Sequence, residues 1–396
     1  MVQSKVDRVR GFIAPRLRLG IYSRSIPRNI ASERIDLLNV KDLGKDLPEI
    51  AIKPYFHPKW ISSYEQCAKN GGYKNIFGRY FWSHKSLRYF DVKNSIFGAI
   101  PNSIHNSSIC LINRIDYFPE TISDNNISKY TFTVRRNKTN YFNLENGFAF
   151  NFSGANLFQH FIQDCLPILA ASKKFLAENP QIPILLPKFL GDSKIRKQYI
   201  EVLGIRNEVI ETNFTKISIR NLFYWNFEPR PLKYILPDSF YKILQNEMSY
   251  LYKGRKSEKL VLVTRKEKFR NFANEQDVIK TCKFIAQKLK LDLVVIDSST
   301  ANFKDWKTQI PAAKIIIGMH GGALFNLIFA KPGTQLFEFV PMIGTDSTIN
   351  TFAKLGVRVI TVPIESSKDQ LDPITIPASM FEEIYNISNI DLAFPS

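Results

Sequence analysis

Residues 315–341 read IIIGMHGGALFNLIFAKPGTQLFEFVP. An apolar run at 315–317 stops at Gly318-Met319-His320-Gly321-Gly322, and apolar residues at helical spacing follow at Ala323, Leu324, Leu327 and Ile328. A second apolar run, 336–340, carries one acid, Glu338, and ends at Pro341. This order predicts strand, glycine turn, helix, turn, strand, the unit of a parallel sheet. Ligands of open parallel sheets sit at the carboxyl ends of strands, where helix N-termini point outward. That position holds His320 with Gly321 and Gly322, which let a backbone approach a ligand closely and offer N–H groups to an anion. Plain turn chemistry is the other use of such glycines.

The same alternation extends to both sides. Strands are expected at 260–264, 292–297, 314–318, 334–340 and 357–363, and helices at 274–289, 303–310 and 323–329. Strict alternation implies a parallel sheet with helices on both faces, an α/β fold. Asn274, with Asp277 three residues on, reads as a capping box. Ahead of it lies the turn Thr264-Arg265-Lys266-Glu267-Lys268-Phe269-Arg270-Asn271, at the carboxyl end of a strand. Arg265 and Arg270 can clamp an anion through charge-assisted, bidentate bonds. Together with 320–322 they would suit a diphosphate, whereas an exposed basic loop is the bland alternative. Glu338, near the end of its strand, is placed to read ribose hydroxyls or to form a structural salt bridge.

The 396-residue length predicts two domains. Hydrophobic content of 44% and charged content of 23% are those of a globular protein, and no apolar run reaches the roughly 20 residues of a spanning helix. With 54 Lys+Arg against 36 Asp+Glu, the net charge of +18 implies an anionic partner: nucleic acid, anionic lipid or phosphorylated small molecules. Cys67, Cys110, Cys165 and Cys282 form no CxxC pair, and the five histidines show no ligand spacing, so no metal site is expected. Reduced thiols and the absence of a signal-like N-terminus point to a cytoplasmic protein. The six Asn-x-Ser/Thr sequons are discounted on that ground.

Residues 1–50 read as an irregular basic arm and 51–150 as β-rich, with runs at 108–115 and 130–134. A helix follows in which Asn156, a candidate N-cap, His160 and Asp164 share one face with Gln163 beside them. The remaining faces are apolar, so this polar stripe needs partners, either structural ones or a ligand. Pro167 should kink the helix. Strands are expected at 182–186, 208–211 and 222–225, and helices at 194–203 and 239–252. Gly254-Arg255-Lys256-Ser257 is the linker candidate.

Three segments in this order resemble glycosyltransferase family 61, the group with the DUF563-type region. They are Asn156…His160…Asp164-Cys165-Leu166-Pro167, then Arg265…Arg270…Asn274-Glu275, then Gly318-Met319-His320-Gly321-Gly322-Ala323-Leu324-Phe325-Asn326…Gly333…Glu338…Pro341. Gly322 stands where the family more often has alanine. The match spans about 151–341 and leaves 1–120 uncovered. The resemblance implies a GT-B-like architecture, two Rossmann-like domains facing a cleft. It also implies a metal-independent, inverting transferase that takes a nucleotide sugar, often UDP-linked, to a glycan acceptor, in bacteria a capsular or lipopolysaccharide one.

On that reading 1–253 is the acceptor-side domain, 254–375 binds the nucleotide sugar, and 376–396 is a tail packing back on the first domain. Donor-binding residues would be Arg265, Arg270, Asn274, Glu275, His320, Gly321, Gly322, Asn326 and Glu338. Inversion needs a general base for the acceptor hydroxyl, and His160 or Asp164 is the candidate, with Asp164 able to orient the His160 ring. No Asp-x-Asp is present, so a basic crevice with helix dipoles would neutralise the leaving diphosphate in place of a metal. A basic surface could also hold the enzyme near anionic inner-membrane lipid and a lipid-linked acceptor. An α/β-hydrolase, suggested by His-Gly-Gly-Ala, is disfavoured because no Gly-x-Ser-x-Gly turn exists and the motif falls late in the chain. A non-catalytic basic protein binding nucleic acid or nucleotide is the remaining alternative, although no RNA-binding signature or dense basic helix supports it.

Overall fold

The structure is a computed structural model that describes residues 46–47, 57–60, 96–106, 109–112, 115–116, 142–150, 157–189, 191–212, 216–226, 236, 238–266, 271–341, 347–364 and 373–389. The chain divides into two units, Met1–Leu43 with Val92–Tyr234, and Gly44–Asp91 with Ile235–Ser396. Each unit is built on its own sheet, and the class is α/β.

The first sheet contains β1 (Ile96–Asn106), β2 (Ile109–Ile112), β3 (Ile115–Asp116), β4 (Phe142–Ala149), β5 (Ile184–Pro187), β6 (Val209–Thr212) and β7 (Lys216–Asn226), in the order β3-β2-β1-β7-β4-β5-β6. Strands β7, β4, β5 and β6 run parallel, while β1 joins β7 antiparallel and β2 and β3 continue that meander. Ile112 pairs with Ile115, so the expected run at 108–115 is two strands folded back on each other. The expected strand at 130–134 lies outside the described residues.

Between β4 and β5 runs a helix over 158–178 (α1), made of Phe158–His160, a π-helical turn Phe161–Cys165, and Leu166–Glu178. Its cap position is Leu157, and Asn156 lies outside the described residues. The π turn ends as the Leu166 N–H reaches the Phe161 carbonyl, immediately before Pro167. Proline has no N–H for the Gln163 carbonyl, and one wide turn there accommodates its ring. A second helix, α2 (Ser193–Val202), is capped by Asp192, which accepts from the Lys194 N–H at 2.9 Å. The Trp225 indole donates to Ser172 (2.8 Å) and Phe175 stacks on Phe223, which docks α1 on β7.

The second sheet is wholly parallel: β8 (Lys259–Thr264), β9 (Asp292–Asp297), β10 (Ala313–Met319), β11 (Gln335–Pro341) and β12 (Arg358–Ile364), in the order β12-β11-β10-β8-β9. Its helices are α3 (Asp238–Met248), α4 (Glu275–Lys288), α5 (Phe303–Gln309), α6 (Ser347–Lys354) and α7 (Ala378–Asn389). All five expected strands are present with edges moved by a residue or so, because unbroken β-branched and leucine runs leave no other way to satisfy a buried backbone.

Four expectations are corrected. The run after the glycines, Gly322–Phe329, is a 3-10 helix rather than α, buried from Leu324 to Phe329. Asn274 stands at the cap of α4 but makes no capping bond, since its amide donates to the Ile376 carbonyl and accepts the Ile376 N–H, both at 3.0 Å. The reciprocal capping box forms instead between Asn302 and Asp305 at α5.

The domain boundary falls near 234 and not at 254. Helix α3 belongs to the second unit because buried Gln245 donates to the Ala330 and Leu355 carbonyls, and buried Lys354 reaches the Leu236 carbonyl and Asp238. The proposed linker residue Arg255 is likewise bonded to the Thr308 carbonyl. Finally, α7 packs within the second unit: Phe381 meets Phe339, and Glu383 pairs with His57 and Lys59. Among the described residues no helix is long and apolar enough to cross a membrane.

Candidate functional site

In the second unit the chain runs from β8 out to β9, then crosses to the other side of β8 for β10, β11 and β12. The order therefore reverses between β8 and β10, the position where open parallel sheets bind ligands. The register brings the expected residues to one edge: Val263 pairs with Gly318, and Gly318 pairs with Glu338. Thr264, which ends β8, and Arg265, which follows it, thus lie beside the His320-Gly321-Gly322 turn that follows β10.

Gly318 has to be glycine, since a Cβ there would lie 2.9 Å from Leu324 Cδ2 and 3.2 Å from Val263 Cβ. Among the described residues, a Cβ on Gly321 or Gly322 would meet nothing within 4 Å, so the turn has room there. The N–H groups at the start of Gly322–Phe329 have no partner within that helix. The His320 N–H is not among the available donors, because it bonds the Phe339 carbonyl at 2.8 Å.

The His320 ring lies on the strand ends, buried, with Nδ1 donating to Glu338 Oε1 at 2.6 Å. Glu338, placed by the sequence either to read ribose or to form a structural salt bridge, is 1% exposed and engaged in this pair. Asn326, in the 3-10 turn, donates to the Ala323 carbonyl at 2.8 Å, an i−3 contact within reach of the tighter helix. Arg265 is half-buried at the strand end, and Glu275 opens α4. Arg270 lies outside the described residues.

Sequence reasoning missed three features of this edge. Thr264 is 2% exposed, and its buried hydroxyl has no hydrogen-bond partner among the described residues. Asp297, ending β9, meets Lys266 at 3.5 Å and accepts from Ser299. Partial burial would raise the Asp297 carboxyl, but the Ser299 bonds and the Lys266 charge outweigh it and hold it below the usual carboxylate range. The Asp-Ser-Ser sequence after a strand is a turn signal that pointed there. The third feature is a clasp: Phe272 bridges Ile374, the Ala273 N–H bonds the Ile374 carbonyl, and the Ile374 N–H bonds Asn271. It is invisible locally, because the two segments lie about a hundred residues apart.

In the first unit the parallel order reverses between β7 and β4, and α1 follows the carboxyl end of β4. His160 Nδ1 lies 3.0 Å from Asp164 Oδ2. His160 retains 14% side-chain exposure and Asp164 only 1%. Burial pushes the Asp164 carboxyl above its usual value, opposed by the contacts from His160 and Gln163. A carboxylate accepting from Nδ1–H fixes the ring's tautomer and leaves proton transfer to Nε2. The stripe expected from the sequence thus contains a His160–Asp164 pair, with Asp164 on the buried π turn and His160 on the helical turn before it. Among the described residues no three His, Cys, Asp or Glu side chains group as metal ligands.

Residues 158–337 match the family model described as Glycosyltransferase 61. Among curated proteins, the xylan glycosyltransferase MUCI21 of Arabidopsis thaliana is 30% identical over 119 residues, covering 26% of this chain and 23% of that protein. The chain thus spans about a quarter of the curated relative it matches. Among solved structures, the metal-soaked Flv1 flavodiiron core from Synechocystis sp. PCC6803 aligns at 13% identity and a TM-score of 0.24, over 43% of this chain and 42% of that one, which carries no argument about the fold. The family match and the xylan glycosyltransferase together support the Glycosyltransferase 61 family for this chain.

Proposed function

We propose that the protein is an inverting, metal-independent glycosyltransferase that moves a sugar from a UDP-linked donor to a glycan acceptor. The observation that carries the reading is a family match that begins at the His160 helix and runs through the His320 turn to β11. In this reading the second unit holds the donor. Arg265 and Arg270 clamp the diphosphate, the Gly321-Gly322 turn offers N–H groups to it, and Glu275, Asn274 and Asn326 shape the surrounding turns.

The first unit supplies the base. His160, oriented by Asp164, removes the acceptor hydroxyl proton through Nε2 as that oxygen attacks the anomeric carbon. The bond from that carbon to the diphosphate breaks on the opposite face, and its electron pair leaves with the phosphate oxygen. The GT-B arrangement belongs to this proposal, as do a capsular or lipopolysaccharide acceptor and a cytoplasmic site at the membrane. The net charge of +18 supports contact with anionic lipid.

Calorimetry with UDP, GDP, CMP and their sugars, followed by a transfer assay with and without EDTA, tests the reading. Binding of one nucleotide class and chelation-resistant transfer are expected. An absence of nucleotide binding, or transfer abolished by EDTA and restored by Mn²⁺, would overturn it.

A further inference from the structure

From the buried His320–Glu338 pair we infer that Glu338 is a positioning residue: it does not read the donor's ribose but holds the His320 ring so that Nε2 meets the leaving diphosphate. The inference rests on the donor-site reading and goes beyond it by giving Glu338 a different task. Three observations carry it. Glu338 is 1% exposed, so its carboxylate is poorly placed to meet a sugar hydroxyl arriving from solvent. Its Oε1 accepts from His320 Nδ1 at 2.6 Å, a short, charge-assisted geometry. The pair also ties the carboxyl ends of β10 and β11, next to the β8–β10 switch point, with Glu338 opposite Gly318 and His320 two residues beyond. A ring fixed at Nδ1 by a strand-borne carboxylate can swing little, which preorganises Nε2 for a ligand. When the ring is protonated, Nε2–H donates to the phosphate oxygen that gains charge as the sugar–oxygen bond breaks, and no proton need be transferred.

The test is a double-mutant cycle on the full chain with UDP and 2′-deoxy-UDP as probes. Glu338→Gln keeps an oxygen for Nδ1–H but loses the charge. His320→Asn keeps an N–H toward Glu338, which protects the fold, while removing Nε2. Each variant should weaken UDP binding by about tenfold, the equivalent of roughly 1.4 kcal/mol. The factor should be the same for 2′-deoxy-UDP, and Glu338→Gln should add nothing in the His320→Asn background. A ribose reader behaves otherwise: its loss would shrink with 2′-deoxy-UDP and would add fully to His320→Asn. Either of those results overturns the assignment. If wild type binds UDP and Arg265→Ala weakens it while both pair variants bind normally, the pair is structural and only this inference fails. If wild type binds no nucleotide, the donor-site reading fails and takes the inference with it.

Discussion

At Asp164 a carboxyl lies in the core against His160 and Gln163, and its chemistry follows from that burial. His160→Ala and Asp164→Asn should each lower turnover by about 10²–10⁴-fold, the usual worth of general-base catalysis, with donor affinity near wild type because both residues lie in the first unit. Turnover, calorimetry and melting temperature on the same two variants check this, and activity that merely tracks the folded fraction would make the dyad structural. The stability of the folded state should also carry Asp164's signature. A carboxyl raised by burial stabilises fully below the unfolded value and loses that contribution as pH rises through its folded value. Melting of wild type minus Asp164→Asn, followed upward from the ordinary carboxylate range, should therefore decline with pH. A flat difference would mean the carboxyl titrates normally. Gly322 and Gly318 make a contrasting pair. With open space around it, Gly322→Ala should stabilise by about 0.4–1 kcal/mol, whereas Gly318→Ala must push Leu324 or Val263 aside and lower the melting temperature.

Among the elements, α1 and the loop before α4 show where local rules hold and where they yield. The four-residue spacing of Asn156, His160 and Asp164 was legible, and the contact between the last two exists at 3.0 Å. The π turn was not legible, because a widened turn depends on how Pro167 and the surrounding core share the strain. Asn274 and Asp277 satisfy the local grammar of a capping box, yet the Ile376 backbone took the Asn274 amide instead. Backbone groups of an incoming segment need partners as much as a helix end does, and sequence near Asn274 contains no trace of them. Asn274→Ala should consequently cost about 1–3 kcal/mol by leaving the Ile376 groups unpaired. It should also weaken UDP binding, because the clasp fixes the end of the loop that begins at Arg265. Asn302→Ala should cost about 1 kcal/mol, as an ordinary N-cap loss, with UDP affinity unchanged. Equal effects of the two variants on UDP affinity would refute a special role for the clasp.

For the whole molecule, buried polar ties are part of what places α3 in the second unit. Lys354, nearly inaccessible, meets Asp238 at 2.6 Å and lies over the Tyr241 ring, and with Gln245 it fastens α3 to the second unit. Lys354→Ala should destabilise by about 3–5 kcal/mol, the cost of breaking a buried pair from one side, measured by denaturant unfolding. A change below about 1 kcal/mol would mean that apolar packing alone sets the boundary. What the sequence determined by itself was the α/β class, the five strands of the second unit, and the residues gathered at their carboxyl ends. A buried parallel strand must be an unbroken apolar run, and its turn must carry the glycines and polar groups that the core cannot hold. The tertiary structure alone decided the strand order that sets β8 beside β10, the joining of His320 to Glu338, the clasp of 271–274 by 374–376, and the assignment of α3 to the second unit. Each of these is a contact between segments distant in the chain, and its free energy appears only once the backbone has closed the loop between them.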